Sequence, residues 1–411
     1  MKEFLQKAKN SSRIISTLSS KKKTNILLQI ADTLVKNQDT IIAENQKDMK
    51  EGIKENLPSA LLDRLKLDKS RITDMAQSIR EIASLKEPIG KVLEGWVIPS
   101  GQRIEKVTTP IGVIGIIYES RPNVTSDTAA LCFKSGNVCV LKGGKEANRS
   151  NRAIASLLQQ VLENNGLPKE IISLLPDNTR EGVAKLIKMD ELVDLIIPRG
   201  GEALIKFVSK NSTVPVIKHD KGLCHIFIDK SADIQNAVDI SINAKCQRPG
   251  VCNAMETLLV HEDITKDILP KLKEEFDKQK TQLVGCEKTC NLIDIAKASK
   301  EDFYTEYLSN KLSIKVVKDI DEAISHVNEH SSGHSESILT QNYINGERFL
   351  NEVDSACVYI NSSTRFTDGA QFGFGAEVGI STSKLHSRGP MGINDLTTYK
   401  FKIYGNGNIR E

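Results

Sequence analysis

Residues 111–142 read IGVIGIIYESRPNVTSDTAALCFKSGNVCVLK. The apolar run Ile111–Tyr118 has no polar alternation, which predicts a strand buried on both faces. A helical pattern follows over Val124–Lys134, and a second buried strand is predicted over Val138–Leu141. Buried strands joined by helices of about ten or more residues predict a parallel sheet covered by helices on both faces. The stretch therefore places the chain in the α/β class.

The same alternation of buried strands and helices continues along most of the chain. Up to residue 217 it predicts helices over Asn148–Glu163, Arg180–Lys188 and Glu202–Lys210, and strands over Ile171–Leu175, Leu192–Ile197 and Val214–Ile217. After residue 221 it predicts strands over Cys224–Asp229, Glu256–Val260, Ser313–Val317, Ser337–Leu339 and Cys357–Ile360, and helices over Ala232–Ala244, Ile264–Lys278, Asp321–Asn328 and Ile344–Val353. Two runs of alternation predict two α/β domains, as the length of 411 residues also favours.

The remaining segments predict helices and a small β element. Residues 1–88 carry apolar residues at helical spacing, whereas 90–110 alternates around a turn at Ser100-Gly101 and predicts a β-hairpin. The tail Leu396–Tyr404 alternates as well and predicts an edge strand, and because unpaired edges invite partners we expect at least a homodimer. We predict a first domain over 1–90 and 111–221, a second domain over 222–394, and a β element over 91–110 and 395–411.

Composition and charge exclude several classes of protein. Hydrophobic residues make up 39% and charged residues 27%, as in soluble globular proteins, and the net charge of +3 does not predict nucleic acid or an anionic membrane as a partner. Met1–Ile14 has no apolar core of a signal peptide, and no apolar run is long enough for a bilayer. The eight cysteines have no disulfide-framework spacing, and Cys286 and Cys290 have no second Cys/His pair nearby. We expect a cytoplasmic protein without a metal.

Two Gly-Gly turns follow predicted strands of the first domain and open predicted helices. They are Lys142-Gly143-Gly144-Lys145 and Pro198-Arg199-Gly200-Gly201. Glycine lets a phosphate approach the backbone, a helix N-terminus favours anions, and lysines add positive charge. A Gly-Gly turn between solvated lysines explains the first motif equally well. Because both turns lie at equivalent ends of one predicted sheet, they together favour a nucleotide site.

Cys252 follows Pro249-Gly250, which ends a helical pattern, and precedes an apolar strand. Backbone N–H groups at such a turn can stabilise a thiolate and a developing oxyanion, and Arg248 adds positive charge. These features make Cys252 a candidate nucleophile. The alternative is a small buried hydrophobic residue, which is the usual role of free cysteine.

Residues 361–392 are rich in Gly, Ser, Thr and Arg, including Ser363, Arg365 and Arg388. Long ordered loops are usually functional, and hydroxyl and guanidinium groups suit carboxylate or phosphate oxygens. The alternative is a flexible surface connector. The loop is therefore a candidate for substrate binding.

Ten motifs together identify a family. They are Tyr118–Val124, Leu141–Glu146, Ile197–Gly201, Asn243–Lys245, Cys252-Asn253, Phe349–Ser355, Ser363–Gly369, Phe372-Gly373, Gly375–Val378 and Ser387–Gly392. With these motifs the chain resembles the aldehyde dehydrogenase superfamily from about residue 85 to its end, and within it the branch that reduces an acyl phosphate in proline synthesis. The resemblance implies an aldehyde-dehydrogenase-like α/β fold with a parallel-sheet nucleotide-binding domain, a second α/β catalytic domain and a small β oligomerisation element.

The resemblance implies NADPH-dependent reduction of L-glutamate 5-phosphate to L-glutamate 5-semialdehyde and phosphate. Cys252 would attack the acyl phosphate and form a thioester, which hydride then converts to the aldehyde. The implied cofactor-binding residues are Lys142, Gly143, Lys145, Gly200, Gly201 and Glu306. A lysine at position 145 would favour the 2′-phosphate of NADP. A separate glutamate 5-kinase is implied as the source of substrate and as a candidate partner.

The substrate carries a carboxylate and a phosphate, so arginine side chains are expected around it. Arg121, Arg248, Arg365 and Arg388 are the candidates, with Ser363 beside them, and a purely structural role is the alternative for each arginine. Asn123 is the candidate oxyanion donor. It corresponds to the asparagine of the superfamily when one gap is placed in the alignment.

The chain also departs from the hydrolytic members of the superfamily. Those members carry a glutamate base upstream of the cysteine, whereas this chain has Ile217–Gly222 there, with His219 as a base or, alternatively, as a solvated loop residue. Pro249-Gly250-Val251 also stands where many relatives have Pro-Ser-Thr. Two rival functions remain open: a hydrolytic aldehyde dehydrogenase, and an inactive binding module on the same fold.

Overall fold

The computed structural model describes residues 1–218 and 221–410. The chain divides into two compact units. The first consists of Met1–Lys218, Gly373–Gly379 and the chain from Met391 onward, and the second of the chain from residue 221 to Phe372 together with Ile380–Pro390. The domain boundaries predicted from the sequence stay a prediction.

Over most of the chain the helices and strands follow one another as the apolar runs predict. The helices are α1 (Lys2–Ile15), α2 (Ser20–Lys36), α3 (Gln38–Lys54), α4 (Ser59–Leu65), α5 (Lys69–Ser84), α6 (Pro122–Lys134), α7 (Asn148–Asn164), α8 (Arg180–Leu186), α9 (Glu202–Asn211), α10 (Ile234–Cys246), α11 (Thr265–Lys278), α12 (Glu287–Cys290), α13 (Ile320–His330) and α14 (Tyr343–Glu352). The strands are β1 (Val92–Val97), β2 (Arg103–Pro110), β3 (Val113–Tyr118), β4 (Val138–Lys142), β5 (Ile172–Leu174), β6 (Leu195–Arg199), β7 (Cys224–Ile228), β8 (Met255–His261), β9 (Gln282–Gly285), β10 (Ala296–Lys297), β11 (Lys311–Val317), β12 (Ser335–Leu339), β13 (Cys357–Ile360), β14 (Ile380–Ser381), β15 (Gly389–Pro390) and β16 (Thr397–Tyr404).

A parallel sheet of order β5-β4-β3-β6 forms the centre of the first unit. Every residue of β3 is buried, and helices α1, α2, α5, α6 and α7 contribute to the same apolar core. The predicted parallel sheet is confirmed. The connections leave β3 and β6 in opposite directions, so the carboxyl ends of these two strands form the topological switch point at which ligands bind in such sheets.

The predicted strand over Val214–Ile217 is wrong. In the described part of this region only Val216 makes a bridge, to Ile196, and β6 is the last strand of the sheet on that side. Pro215 has no N–H to donate to a ladder, which is the physical reason that pairing stops here.

A three-stranded antiparallel sheet of order β1-β2-β16 confirms the predicted hairpin and the edge strand of the tail. Apolar side chains on it are exposed, among them Val97, Ile403 and Trp96. The Trp96 ring lies 6.2 Å from that of Phe401 in an edge-to-face contact. Trp96 is thus a partly exposed member of the sheet.

The second unit contains a parallel sheet of order β10-β9-β11-β8-β7-β12-β13. The predicted second α/β arrangement is confirmed, but β9, α12 and β10, between residues 282 and 297, were not predicted. Residues 361–372 and 380–390 of the Gly- and Ser-rich stretch belong to this unit and carry one 3₁₀ turn, Thr364–Phe366, and the short pair β14–β15. Among the helices that the structure describes, none is long and apolar enough to cross a membrane.

Candidate functional site

Cys252 lies on a tight turn between α10 and β8, as predicted. Helix α10 ends at Cys246 before Pro249-Gly250, and the N–H of Ala254 donates to the carbonyl oxygen of Val251 at 3.1 Å to close the turn. Cys252 is half-buried, so its thiol is held in place without being sealed in the core. The local geometry fits a nucleophile, and the catalytic role itself stays a prediction.

The backbone of Gly222 packs directly against that of Cys252. A Cβ added to Gly222 would overlap the carbonyl oxygen and the Cα of Cys252, so only glycine fits here. The same carbonyl oxygen of Cys252 accepts a hydrogen bond from the thiol of Cys224 at 3.2 Å. Burial raises the pKa of Cys224 well above its ordinary value, which keeps this thiol a donor. These two contacts fix the Cys252 backbone from one side.

The residue after the nucleophile is fixed by the loop that follows β13. Asn253 donates through Nδ2 to the carbonyl oxygen of Thr367 at 2.8 Å, and its own carbonyl oxygen accepts from Thr364 Oγ1 at 2.8 Å. Arg365 Nη1 donates to Asn253 Oδ1, and its Nε donates to Gln247 Oε1 at 3.0 Å. Arg365 therefore connects the end of α10 to the Cys252 turn.

Arg365 also shares an electrostatic environment with Cys252 and Arg248. Burial lowers the pKa of Arg365, the neighbouring Arg248 guanidinium lowers it further, and Cys252 in its thiolate form raises it. Two guanidinium groups therefore act on the same small region as the thiol. Positive charge of this kind favours a thiolate and attracts anionic substrate groups. The structure thus brings together three of the predicted site residues.

Ser363 and Arg388 make structural contacts in the second unit. Ser363 is buried, and its Oγ accepts from the Arg365 backbone N–H at 3.3 Å, which caps the Thr364–Phe366 turn. Arg388 donates to Asp354 Oδ1 at 2.8 Å and to the Asp354 carbonyl oxygen at 3.0 Å. Substrate binding by either residue stays a prediction.

Glu306 lies at the back of the Cys252 turn. Its Oε1 accepts a hydrogen bond from the Gly222 N–H at 2.8 Å, and Gly222 in turn packs on Cys252. The half-buried carboxylate is thus held close to the turn. His219, the candidate base, lies outside the described residues.

This cluster lies at the amino-terminal edge of the sheet in the second unit. Cys252 precedes the first residue of β8, Gly222 precedes β7, and Leu308 precedes β11. Ligands of parallel sheets usually lie at the opposite edge. Here the sharp turn before β8 carries the half-buried thiol, and the neighbouring parallel strands begin beside it.

In the first unit, Lys142 and Gly143 line a cavity of about 320 Å³ at the carboxyl ends of β4 and β5. Polar side chains of α7, among them Asn151 and Arg152, line the same cavity. Burial lowers the pKa of Lys142, opposed by the carboxylates of Glu146, Glu119 and Asp177. A Cβ on Gly143 would overlap the amide of Asn151, so glycine keeps this approach to the backbone open.

Gly200 and Gly201 open α9 at the switch point between β3 and β6. The Gly201 N–H donates to Glu119 Oε2 at 2.8 Å, and a Cβ on Gly200 would lie 2.6 Å from that oxygen. The helix N-terminus therefore already holds an anionic oxygen, which agrees with its predicted preference for anions.

The remaining predicted residues of the first unit lie at or near its surface. Asn123 is exposed and donates through Nδ2 to Asp127 Oδ2 at 3.1 Å. Arg121 is half-buried and precedes the first residue of α6. The exposed Lys145 forms an ion pair with Glu55 at 3.3 Å. Their binding roles stay predictions, as does that of Asn123 as an oxyanion donor.

Gly222 and the buried pair Lys245 and Glu256 were not predicted as site residues. Lys245 and Glu256 flank the Cys252 turn in sequence, and Lys245 Nζ lies 2.5 Å from Glu256 Oε2. A signal was present, because Glu256 is the acidic residue of a strand that is otherwise buried and mostly apolar. Within residues 1–218 and 221–410, no group of three or more His, Cys, Asp or Glu side chains could hold a metal ion.

A parallel α/β sheet with Gly-Gly turns in one unit, and a parallel sheet with a thiol on a tight turn in the other, are the features expected of the aldehyde dehydrogenase class. The chain belongs to the aldehyde dehydrogenase family, whose model matches residues 1–285 and 292–401. The resemblance predicted from its motifs is thereby confirmed.

Comparison with individual proteins narrows the class further. The chain is 64% identical over 411 residues to gamma-glutamyl phosphate reductase of Nautilia profundicola, with all of both chains covered. It is 65% identical over 412 residues to gamma-glutamyl phosphate reductase of Nitratiruptor sp., again with full coverage. The crystal structure of gamma-glutamyl phosphate reductase from Thermotoga maritima matches with a TM-score of 0.98 at 46% identity, covering 100% of this chain and 99% of that one.

Proposed function

We propose that this protein reduces L-glutamate 5-phosphate to L-glutamate 5-semialdehyde and phosphate, with NADPH as the reductant, as the second step of proline synthesis. Full-length relatives with 60 to 65% identity are named for this reaction. The observation that carries the proposal is the Cys252 turn, where a half-buried thiol interacts with the Arg365 guanidinium, which in turn lies near Arg248.

The first chemical step belongs to Cys252. Its thiolate attacks the acyl carbon, phosphate leaves, and a glutamyl thioester remains on the sulfur. Arg248 and Arg365 stabilise the thiolate and offset the charge of the departing phosphate. Because Gly222, Cys224 and Asn253 hold the turn rigidly, the sulfur does not need to reorganise when it attacks. The backbone N–H groups of the turn are the proposed oxyanion donors, with Asn123 as a further candidate.

The residues present fit a dinucleotide phosphate. When bound, the nicotinamide cofactor supplies the hydride that converts the thioester to the aldehyde. Lys142 and Gly143 line a polar cavity, and Gly200 and Gly201 open a helix N-terminus at which the Gly201 N–H already donates to a carboxylate oxygen. Lys145, which is exposed and follows the Gly143-Gly144 turn, is proposed to bind the 2′-phosphate of the cofactor and so to favour NADPH over NADH. The carboxylate of Glu306 is proposed to accept from a ribose hydroxyl.

The oligomeric state and the cellular location that we propose rest on the exposed apolar residues and on the cysteines of the chain. The exposed apolar residues of the sheet β1-β2-β16 favour a homodimer or a higher homo-oligomer. A separate glutamate 5-kinase is the proposed source of substrate and a candidate partner. Eight cysteines without a framework spacing favour a reducing compartment, which supports a cytoplasmic location.

The reverse reaction tests the function. With glutamate 5-semialdehyde and NADP, the purified protein should form more than one equivalent of NADPH per active site only when inorganic phosphate is present, because phosphate must release the thioester from Cys252. Cys252→Ala should abolish turnover while NADPH binding stays measurable. Equal rates without phosphate would instead identify a hydrolytic aldehyde dehydrogenase, and turnover by the Cys252→Ala variant would remove the assignment of the nucleophile.

A further inference from the structure

A buried ion pair closes the loop that carries Cys252. Lys245 lies in the last turn of α10 and Glu256 is the second residue of β8, and Lys245 Nζ lies 2.5 Å from Glu256 Oε2 with both side chains fully buried. Taking two charges out of water costs about as much as their attraction returns, so such a pair adds little net stability. Stability alone is therefore a poor explanation for two charges at the base of this loop.

The second carboxylate oxygen of Glu256 holds a strained segment. Glu256 Oε1 accepts a hydrogen bond from the Leu308 N–H at 3.2 Å. Leu308 has a φ of +51°, in the left-handed region that a branched apolar residue rarely adopts. Strained backbone persists only where the surroundings determine it, and here the buried carboxylate is one of those surroundings.

The strained segment leads back to the nucleophile. Two residues before Leu308, Glu306 accepts from the Gly222 N–H at 2.8 Å, and Gly222 packs on the backbone of Cys252. Between them, the Tyr307 hydroxyl is 2.6 Å from the hydroxyl of Ser313. Residues 306–308 thus connect the Lys245–Glu256 pair to the back of the Cys252 turn through a continuous set of contacts.

The Lys245–Glu256 pair can accept the hydrogen bond from the Leu308 N–H while it carries no net charge. Burial raises the pKa of Glu256 to about 7, against the opposing effect of Lys245, and burial lowers the pKa of Lys245. One proton shared between the two groups leaves the pair neutral whichever group holds it. The oxygen that faces Leu308 therefore remains an acceptor in both arrangements.

We propose that Glu256, neutralised by Lys245, is a positioning residue that fixes residues 306–308 through the Leu308 amide and thereby sets the positions of Glu306 and of the Cys252 turn. This inference deepens the proposed function and rests on it for the chemistry of Cys252. It assigns the pair a role that depends on a hydrogen-bond acceptor and not on its charges.

Two double variants separate the acceptor from the charge. Lys245→Met/Glu256→Gln removes both charges but keeps an amide oxygen that can accept from Leu308. Lys245→Met/Glu256→Leu removes both charges and the acceptor. The rate of Cys252 alkylation by iodoacetamide is measured for each, with Cys252→Ala as the background for the other thiols. Turnover is measured alongside, after a thermal transition has shown that each variant is folded.

We expect the Gln double variant to alkylate and turn over within about threefold of the wild type, and the Leu double variant to lose on the order of 10- to 100-fold in alkylation rate and in kcat, with little change in substrate KM. Equal rates of alkylation and turnover in the two folded double variants would overturn the proposal and leave charge compensation as the role of the Lys245–Glu256 pair. Alkylation needs no substrate. The inference about Glu256 can therefore fail while the reductase activity is confirmed, and it can be confirmed while the reductase activity fails.

A measurement on the wild type does not depend on the folding of any variant. The Leu308 amide should be among the slowly exchanging backbone amides of the second unit, because a buried carboxylate holds it. Exchange as fast as that of an exposed loop would contradict the proposed role of Glu256.

Discussion

Gly222 and Cys252 touch through their backbones so closely that no side chain fits at position 222. The same glycine donates its N–H to Glu306. One residue without a Cβ therefore determines where both the candidate nucleophile and the nearby carboxylate lie.

Gly222→Ala should displace the Cys252 turn, because the added Cβ would overlap backbone atoms that cannot rotate away. We expect a loss of about 1–3 kcal/mol in the free energy of unfolding, as for other overpacked sites, and a fall in kcat on the order of 100-fold. Gly250→Ala is the matched control, since its Cβ would lie at an ordinary 3.5 Å from the Leu308 carbonyl oxygen. Urea unfolding and kcat are measured for both variants. Equal effects of the two substitutions would contradict the role of this contact.

Arg365 and Arg388 are both candidate substrate ligands, and Arg365 shares the electrostatic environment of Cys252, whereas Arg388 is paired with Asp354. Arg365→Gln should raise the KM for glutamate 5-phosphate on the order of tenfold or more and slow the alkylation of Cys252, because a guanidinium that favours the thiolate is lost. Arg388→Gln breaks an exposed pair with Asp354 and should change KM by no more than about twofold. A larger effect of Arg388→Gln would assign the substrate anion to Arg388.

Lys145 is the proposed ligand of the NADP 2′-phosphate. Lys145→Met should raise the KM for NADPH by about tenfold, which corresponds to about 1.4 kcal/mol, and leave the KM for NADH almost unchanged. Glu55→Gln removes the acidic partner of Lys145 and should leave the KM for NADPH equal or slightly lower. Parallel increases in the KM values of both cofactors for Lys145→Met would show a role other than contact with the 2′-phosphate.

Asp302 stabilises the second unit in a pH-dependent way. Burial alone would raise its pKa, but hydrogen bonds from Lys311, Ser299 and Tyr307 outweigh burial and hold the pKa well below its ordinary value of 3.8. Because the folded pKa is lower than the unfolded one, this stabilisation is present above pH 3.8 and is lost as the pH falls toward the folded value.

Asp302→Asn should therefore cost about 1–3 kcal/mol in the free energy of unfolding at pH 7, and the difference from the wild type should shrink as the pH falls below about 4. Denaturant unfolding as a function of pH measures this difference. The exposed Asp294→Asn is the control, with an expected change of less than about 0.5 kcal/mol. If Asp302→Asn lowers the free energy of unfolding by the same amount at neutral and at acidic pH, the proposed role of the Asp302 carboxylate is contradicted.

Most of the fold could be predicted because its buried strands are continuous apolar runs. The apolar runs in Ile111–Tyr118 and Met255–His261 predict strands that are buried on both faces, and the structure has strands there. The strand Gln282–Gly285 was missed because only two of its residues are strongly apolar, and Ala296–Lys297 because it is short and exposed. The strand expected over Val214–Ile217 did not form, since Pro215 cannot donate to a ladder.

The site could be predicted only in part. Cys252 is recognisable from the Pro-Gly break before it, because a chain break between a helix and a strand is a local property of the sequence. Gly222 contacts Cys252 across 30 positions of the chain, and Glu256 contacts Leu308 across 52 positions. No local sequence pattern predicts contacts at such separations. Glu256 stands out as the acidic residue of the mostly apolar strand Met255–His261, but nothing in the sequence identifies Lys245 as its partner, because lysine is seldom fully buried.

The central claim is that the sulfur of Cys252 accepts the glutamyl group from the acyl phosphate. Its most direct test is the mass of the intact protein after mixing with freshly generated glutamate 5-phosphate in the absence of NADPH, followed by peptide mapping. We expect a mass increase equal to one glutamyl group, located on Cys252, lost on addition of NADPH and missing in Cys252→Ala. An unmodified Cys252 in a protein that nevertheless forms glutamate 5-semialdehyde when NADPH is added would contradict the account.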